Sequence, residues 1–293
     1  MSSPAQVAVR PAGAAYLELT KPRITLLVTL TALVGFVMAS PGPVQVSSLA
    51  AALLGTAVVA AGSSALNMLL ERETDARMTR TQGRPLPSGR LRPADALAFG
   101  LTLSALGLAE LAWLSGPLPT AVAATTWASY LFLYTPLKRI TSLSTLVGAV
   151  PGALPPVIGW TAARGSLDPG AFVLFAILFL WQIPHFLAIA WIYREDYKRG
   201  GLPMLPVLDP EGRLTGRQAV ANSLALLLVS LTPTAAGMTG QLYLGGALLL
   251  GLAFTAVALR AAVVRTIASA RWLFLTSVLY LTALCSLLLL DKL

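Results

Sequence analysis

Apolar runs recur from about residue 23 to residue 290, each closed by a short cluster of Pro, Gly or charged residues. Each run approaches the ~20 residues that cross a hydrocarbon core as a helix. The pattern predicts nine spans, at about 23–39, 47–71, 93–115, 118–134, 143–163, 170–193, 217–238, 241–262 and 270–290. Turn signals fall between them: PGP at 41–43, SGPLP at 115–119 and Asp168-Pro169-Gly170. No segment alternates like a barrel strand, and backbone groups in lipid must be satisfied within the segment. The expected fold is therefore all-α, a polytopic membrane protein of about nine transmembrane helices.

Composition supports this. Only 11% of the 293 residues are charged and 56% are hydrophobic, with a mean hydropathy of +0.75; a soluble domain carries about a quarter charged residues. The net charge of +9 could suggest nucleic acid, but the basic residues flank spans instead of forming one stripe. The partner they imply is the lipid bilayer. With nine spans, 19 of the 21 Lys and Arg fall on one side, leaving Arg164 and Lys292 opposite. That bias predicts a bacterial-type inner membrane location with the N-terminus and the loops at about 72–92, 135–142 and 194–216 cytoplasmic. The C-terminus falls on the other side. Residues 1–22 read as a cytoplasmic segment without a removable signal peptide, and 23–293 as one transmembrane domain. Cys285 and His185 are each the sole residue of their type, excluding an intrachain disulfide or any site needing two histidines.

The sharpest break in the pattern follows the second span. In NMLLERETDARMTRTQGRPLPSGRLR (67–92), three acids stand among six arginines. Asn67, Glu71 and Asp75 are spaced i, i+4, i+8 and share one helical stripe, whereas Glu73 falls elsewhere. A carboxamide and two carboxylates suit a hard cation such as Mg²⁺, which fills its octahedron with water and substrate phosphates. The arginines downstream would face the same phosphates bidentately. The plainer alternative is a solvated helix end with Glu–Arg pairs worth a few tenths of a kcal/mol each. Spacing alone leaves the two level.

NMLLERETDARMTRTQGRPLPSG resembles the first acidic motif, N-x-x-x-D/E-x-x-x-D, of the UbiA superfamily of intramembrane prenyltransferases. Its continuation M-x-R-T-x-x-R-P-L is similar to the haem-modifying branch, the protoheme IX farnesyltransferases. LELTKPRITLLV (17–28), YTPLKRITSLSTLVGAVPGALPPVIGW (134–160) and FLWQIPHFLAIAWIYREDYKRGGLPMLP (179–206) agree. The resemblance implies a UbiA-type bundle around a central cavity. It implies transfer of the farnesyl group of farnesyl diphosphate to a vinyl group of haem B, giving haem O. Mg²⁺ would be held by Asn67, Glu71, Asp75 and Asp196, the last standing for the second acidic motif. That motif often has two aspartates four apart; here positions 192 and 200 are Ile and Gly, leaving one ion, or a second held mainly by diphosphate. Arg80, Arg84, Lys138 and Lys198 are implied as diphosphate ligands, with haem propionates an alternative for Lys138 and Arg139. His185, inside an apolar helix beside Pro184, reads either as a structural hydrogen bonder or as the haem-binding residue the branch implies. Trp181, Phe186 and Trp191 read as packing residues. A quinone-precursor prenyltransferase or a haem carrier are the competing functions. Haem A synthase or a terminal oxidase would be partners by pathway only.

Overall fold

The computed structural model describes residues 12–293. Of the expected N-terminal segment, residues 1–11, including Arg10, lie outside the described residues. The rest holds α1 (Ala12–Leu19), a short helix, and the turn at Thr20 and Lys21 that leads into the first long one.

The bundle is built from α2 (Pro22–Ala39), α3 (Val46–Leu70), α4 (Arg72–Ala76), α5 (Pro93–Leu114), α6 (Pro117–Ala128), α7 (Thr135–Leu137), α8 (Ser144–Ala153) and α9 (Pro155–Arg164). It continues with α10 (Pro169–Ile192), α11 (Arg194–Arg199), α12 (Leu205–Leu208), α13 (Arg213–Ser230), α14 (Thr232–Ala235), α15 (Gln241–Val264) and α16 (Ile267–Leu290). Among the described residues, eight helical stretches are long and apolar enough to cross a membrane. The remaining expected span, 118–134, is divided: α6 runs into a π-helical turn at Ser129–Tyr134 and then α7. Thr135 N–H bonds to Tyr130 O, five residues back. Pro136 explains the widening, because it has no N–H and its ring would press on the carbonyl four residues earlier.

Two other boundaries differ from expectation. The seventh span starts at Arg213, so Arg213 and Arg217 lie in α13, after Gly212 turns the chain with φ 72°. The fifth span is two helices meeting at Leu154, where Pro155 and Pro156 open α9. By contrast, α10 passes unbroken through Pro184.

The main core surrounds α10, which touches α8, α9, α13 and α16. Apolar helices gain no hydrophobic drive from association in lipid, so close backbone approach must hold them. The α2–α9 crossing shows it: a Cβ on Gly35 would sit 1.9 Å from Pro156 O, and one on Gly159 1.8 Å from Ala32 O. The other half of α2, Pro22–Leu30, is exposed or half-exposed throughout. A cavity of about 210 Å³ opens between α8, α10, α12 and α13, lined by Leu146, Ile183, Leu187, Leu205 and Gln218. At the opposite end from the charged loops, Lys292 Nζ donates to Val37 O (2.7 Å) and Ser40 O (2.5 Å). Asp291 Oδ2 accepts Tyr243 N–H at 2.7 Å, so this short segment ties α2 to α15.

Candidate active site at the charged end of the bundle

Two long helices reach this end in the same way. α3 stops at Leu70, Glu71 leaves helical geometry (φ −91°, ψ 0°), and α4 resumes. α10 stops at Ile192, Tyr193 breaks (φ −108°, ψ 24°), and α11 resumes. Even so, Glu71 N bonds to Asn67 O at 2.9 Å and Asp75 N to Glu71 O at 2.8 Å. The stack of Asn67, Glu71 and Asp75 therefore survives the break.

Every carboxylate here has a basic partner. Lys138 Nζ donates to Glu71 Oε1 at 2.7 Å, with both side chains nearly buried. Arg84 Nη1 donates to Asp75 Oδ2 at 2.7 Å. Asn67 accepts from Lys21 Nζ at 2.7 Å and donates to Thr135 Oγ1 at 3.1 Å, which ties the acidic stack to the π turn. Asp196 accepts from the amides of Thr79 (3.1 Å) and Arg80 (3.3 Å) and from the Arg199 guanidinium. Its carboxylate thus fastens the arginine-rich loop to α11. Among the described residues no hydrogen bond joins Asp196 to Asn67, Glu71 or Asp75.

The electrostatics follow from these pairs. Burial would raise the Glu71 carboxyl, but the Lys138 and Lys21 ammonium groups overcome it and hold the group down at about 2. Burial pushes Lys21 down to about 8, assisted by the charges of Arg84 and Lys138 and opposed by Glu71. Burial acts to lower the Lys138 ammonium, but the Glu71 carboxylate beside it, its hydrogen bond and the nearby Tyr134 and Tyr197 together raise it. Asp196 is lowered: burial acts against this, and the Arg199 and amide hydrogen bonds prevail.

The oxygen set fits a hard cation. Asp75 is 1% exposed, and its Oδ1 is buried without a hydrogen-bond partner among the described residues. An unpartnered carboxylate oxygen is costly unless a cation or donor meets it. Among the described residues no three His, Cys, Asp or Glu side chains form a ready cage. Water and substrate oxygens would have to complete the shell, as Mg²⁺ favours.

The remaining expected residues are spread around this face. Arg80 lies over the Tyr193 ring at 5.0 Å, and Lys198 is exposed on α11. Arg139 donates to Leu70 O at 2.7 Å and caps α3. His185 stands deeper, eleven residues before Asp196, or roughly 16 Å along a helix axis. Its Nδ1 is 2.7 Å from Ser277 Oγ, and its ring packs near those of Trp181 (4.7 Å) and Phe274 (5.1 Å).

Lys21 and the Tyr130–Tyr134 stack (5.5 Å), over whose Tyr134 ring Lys138 sits at 5.4 Å, are not among the residues expected from the sequence. Lys21 carried a usable signal: it immediately precedes the proline that opens an apolar span. It also adopts φ 47°, rare for a non-glycine residue. Tyr130, Tyr134 and Lys138 repeat the i, i+4, i+8 spacing of the acidic stack.

A membrane bundle that gathers acids and bases from separate loops at one end is the arrangement of an intramembrane prenyltransferase. The chain belongs to the UbiA prenyltransferase family, whose model matches residues 28–282. Protoheme IX farnesyltransferase of Solibacter usitatus is 52% identical over 287 residues, covering 94% of this chain and 98% of that protein. A solved structure of digeranylgeranylglyceryl phosphate synthase matches with a TM-score of 0.80 at 16% identity, over 96% of this chain and 98% of the other. A UbiA homolog from Archaeoglobus fulgidus bound to DMAPP and Mg²⁺ matches with a TM-score of 0.68 at 18% identity, over 93% and 98%. At such identities these two structures speak to the fold.

Proposed function

We propose that the chain transfers the farnesyl group of farnesyl diphosphate to a vinyl group of haem B, with addition of water, to give haem O and diphosphate. The observation that carries this reading is the 52% identity, over nearly the whole of both chains, to protoheme IX farnesyltransferase of Solibacter usitatus. By the bias of basic residues, the charged end faces the cytoplasm.

Lys21, Arg80, Arg84, Lys138 and Lys198 receive the diphosphate. As the allylic C–O bond breaks, negative charge grows on the leaving group, and bases fixed in a partly buried site stabilise it more than water does. Asn67, Glu71 and Asp75 would hold Mg²⁺, which would supply further positive charge to the same group. The A. fulgidus homolog, solved with Mg²⁺ and DMAPP, favours that ion. Asp196 holds the Thr79–Arg80 amides and so aims Arg80, and it would be the further carboxylate to meet Mg²⁺ or a second ion. The vinyl π electrons attack the allylic cation, and water adds to the resulting cation beside the ring, losing one proton. The apolar helices keep water from the first cation. His185 receives the haem.

Mass spectrometry of haems extracted from a host lacking haem O, after expression of the chain, is expected to show haem O. A prenylated quinone precursor without haem O would overturn the acceptor. Asp75→Ala is expected to lower the rate about 10²–10³-fold, the scale for losing one preorganised electrostatic group. An unchanged rate would remove Asp75 from the site.

A further inference from the structure

The hydrogen-bond geometry around His185 favours one placement of its ring proton. Ser277 is fully buried on α16, and its Oγ lies 2.5 Å from Phe274 O and 2.7 Å from His185 Nδ1. A serine hydroxyl has one proton. The Phe274 carbonyl can only accept, and at 2.5 Å it is the closer of the two neighbours, which places the proton on that side. The contact with His185 must then run the other way, from Nδ1–H to Oγ. In a neutral imidazole this leaves Nε2 with the lone pair. Aromatic rings also pack against the imidazole. Trp181 stacks on it at an interplanar angle of 25° and itself donates Nε1–H to Ser277 O at 2.7 Å. Phe274 lies 5.1 Å from the imidazole at 33° and Phe186 5.7 Å at 59°.

We propose that Ser277 is a positioning residue for the haem substrate, holding His185 as the Nδ1–H tautomer with Nε2 free to ligate the haem iron. This rests on the reading of His185 as the haem-binding residue. Metal-ligating histidines characteristically donate their other N–H to a neighbouring acceptor, which sets ring orientation and ligand strength. Ser277 supplies that acceptor from a separate helix. The sequence could not reveal this, since the two residues lie 92 positions apart.

His185 is the one histidine of the chain. Full-length protein labelled with ¹⁵N-histidine therefore gives a single imidazole, whose tautomer is read by NMR before any haem is added. The expected spectrum is that of Nδ1–H, moving toward Nε2–H in Ser277→Ala and restored in Ser277→Thr. Ferric haem B titrated into the same samples should give a histidine-ligated Soret spectrum. Its apparent affinity should fall about 10–100-fold in Ser277→Ala and recover in Ser277→Thr. An Nε2–H ring in the unsubstituted protein, or an unaltered haem spectrum and affinity in Ser277→Ala, would overturn the proposal. His185→Ala separates the two levels. If it also leaves haem binding unaltered, the haem-ligand reading of His185 falls and the proposal with it. If it abolishes the histidine-ligated spectrum while Ser277→Ala does not, only the role of Ser277 falls.

Discussion

Glu71 and Lys138 hold each other at 2.7 Å with side-chain exposures of 11% and 14%, and that burial sets the cost of separating them. Lys138→Met leaves a buried carboxylate without its partner, a change that typically costs about 3–5 kcal/mol. The expected result is a marked drop in melting temperature in detergent. The double variant Lys138→Met/Glu71→Leu should regain most of it while remaining inactive. A double variant no more stable than the single would show that the pair does not act as a unit. At this scale the acidic stack was legible because helical periodicity alone aligns Asn67, Glu71 and Asp75. Lys21 was not, since it reaches Asn67 from 46 residues away through an αL turn. The spacing showed the acids; it could not show that a base already meets each one. Asp196 illustrates the same limit, because its amide partners belong to a loop more than 100 residues earlier.

Helices were legible wherever hydropathy marks both ends, and boundaries shifted where backbone geometry decides. Arg213 and Arg217 looked like loop residues because they are charged, yet the αL glycine before them starts the helix. The π turn left no mark in the apolar pattern except Pro136, and through Thr135 it secures one side of the site. Packing between helices yields a direct test. Gly35→Ala and Gly159→Ala each place a methyl within 2 Å of a carbonyl oxygen of the facing helix, so backbone must move. Each should destabilise the protein by about 1–3 kcal/mol or more, the scale of overpacking. Gly245→Ala meets no atom within 4 Å and serves as the control. There, helix propensity predicts no loss and a gain of up to about 1 kcal/mol. Equal melting temperatures for all three variants would remove close packing as the account of the α2–α9 crossing.

Across the whole molecule, the bundle is closed by the segment after α16 as well as by its helices. Lys292 gives its ammonium to two carbonyls at the end of α2, and hydrogen bonds to charged groups contribute about 1.5–3 kcal/mol each. Lys292→Met is expected to lower the melting temperature while leaving farnesyl diphosphate binding at the far end unchanged. Equal melting temperatures would show the contact to be incidental. The bond from Lys292 to Val37 spans 255 residues, which fixes when it can form. At roughly 5–20 residues per second of synthesis, about 13–50 s separate the emergence of its two ends. For that interval the carbonyls at the end of α2 must find other partners, in water or in the insertion machinery. The bundle therefore has a birth order, in which this tie forms only after every helix between Val37 and Lys292 has been made.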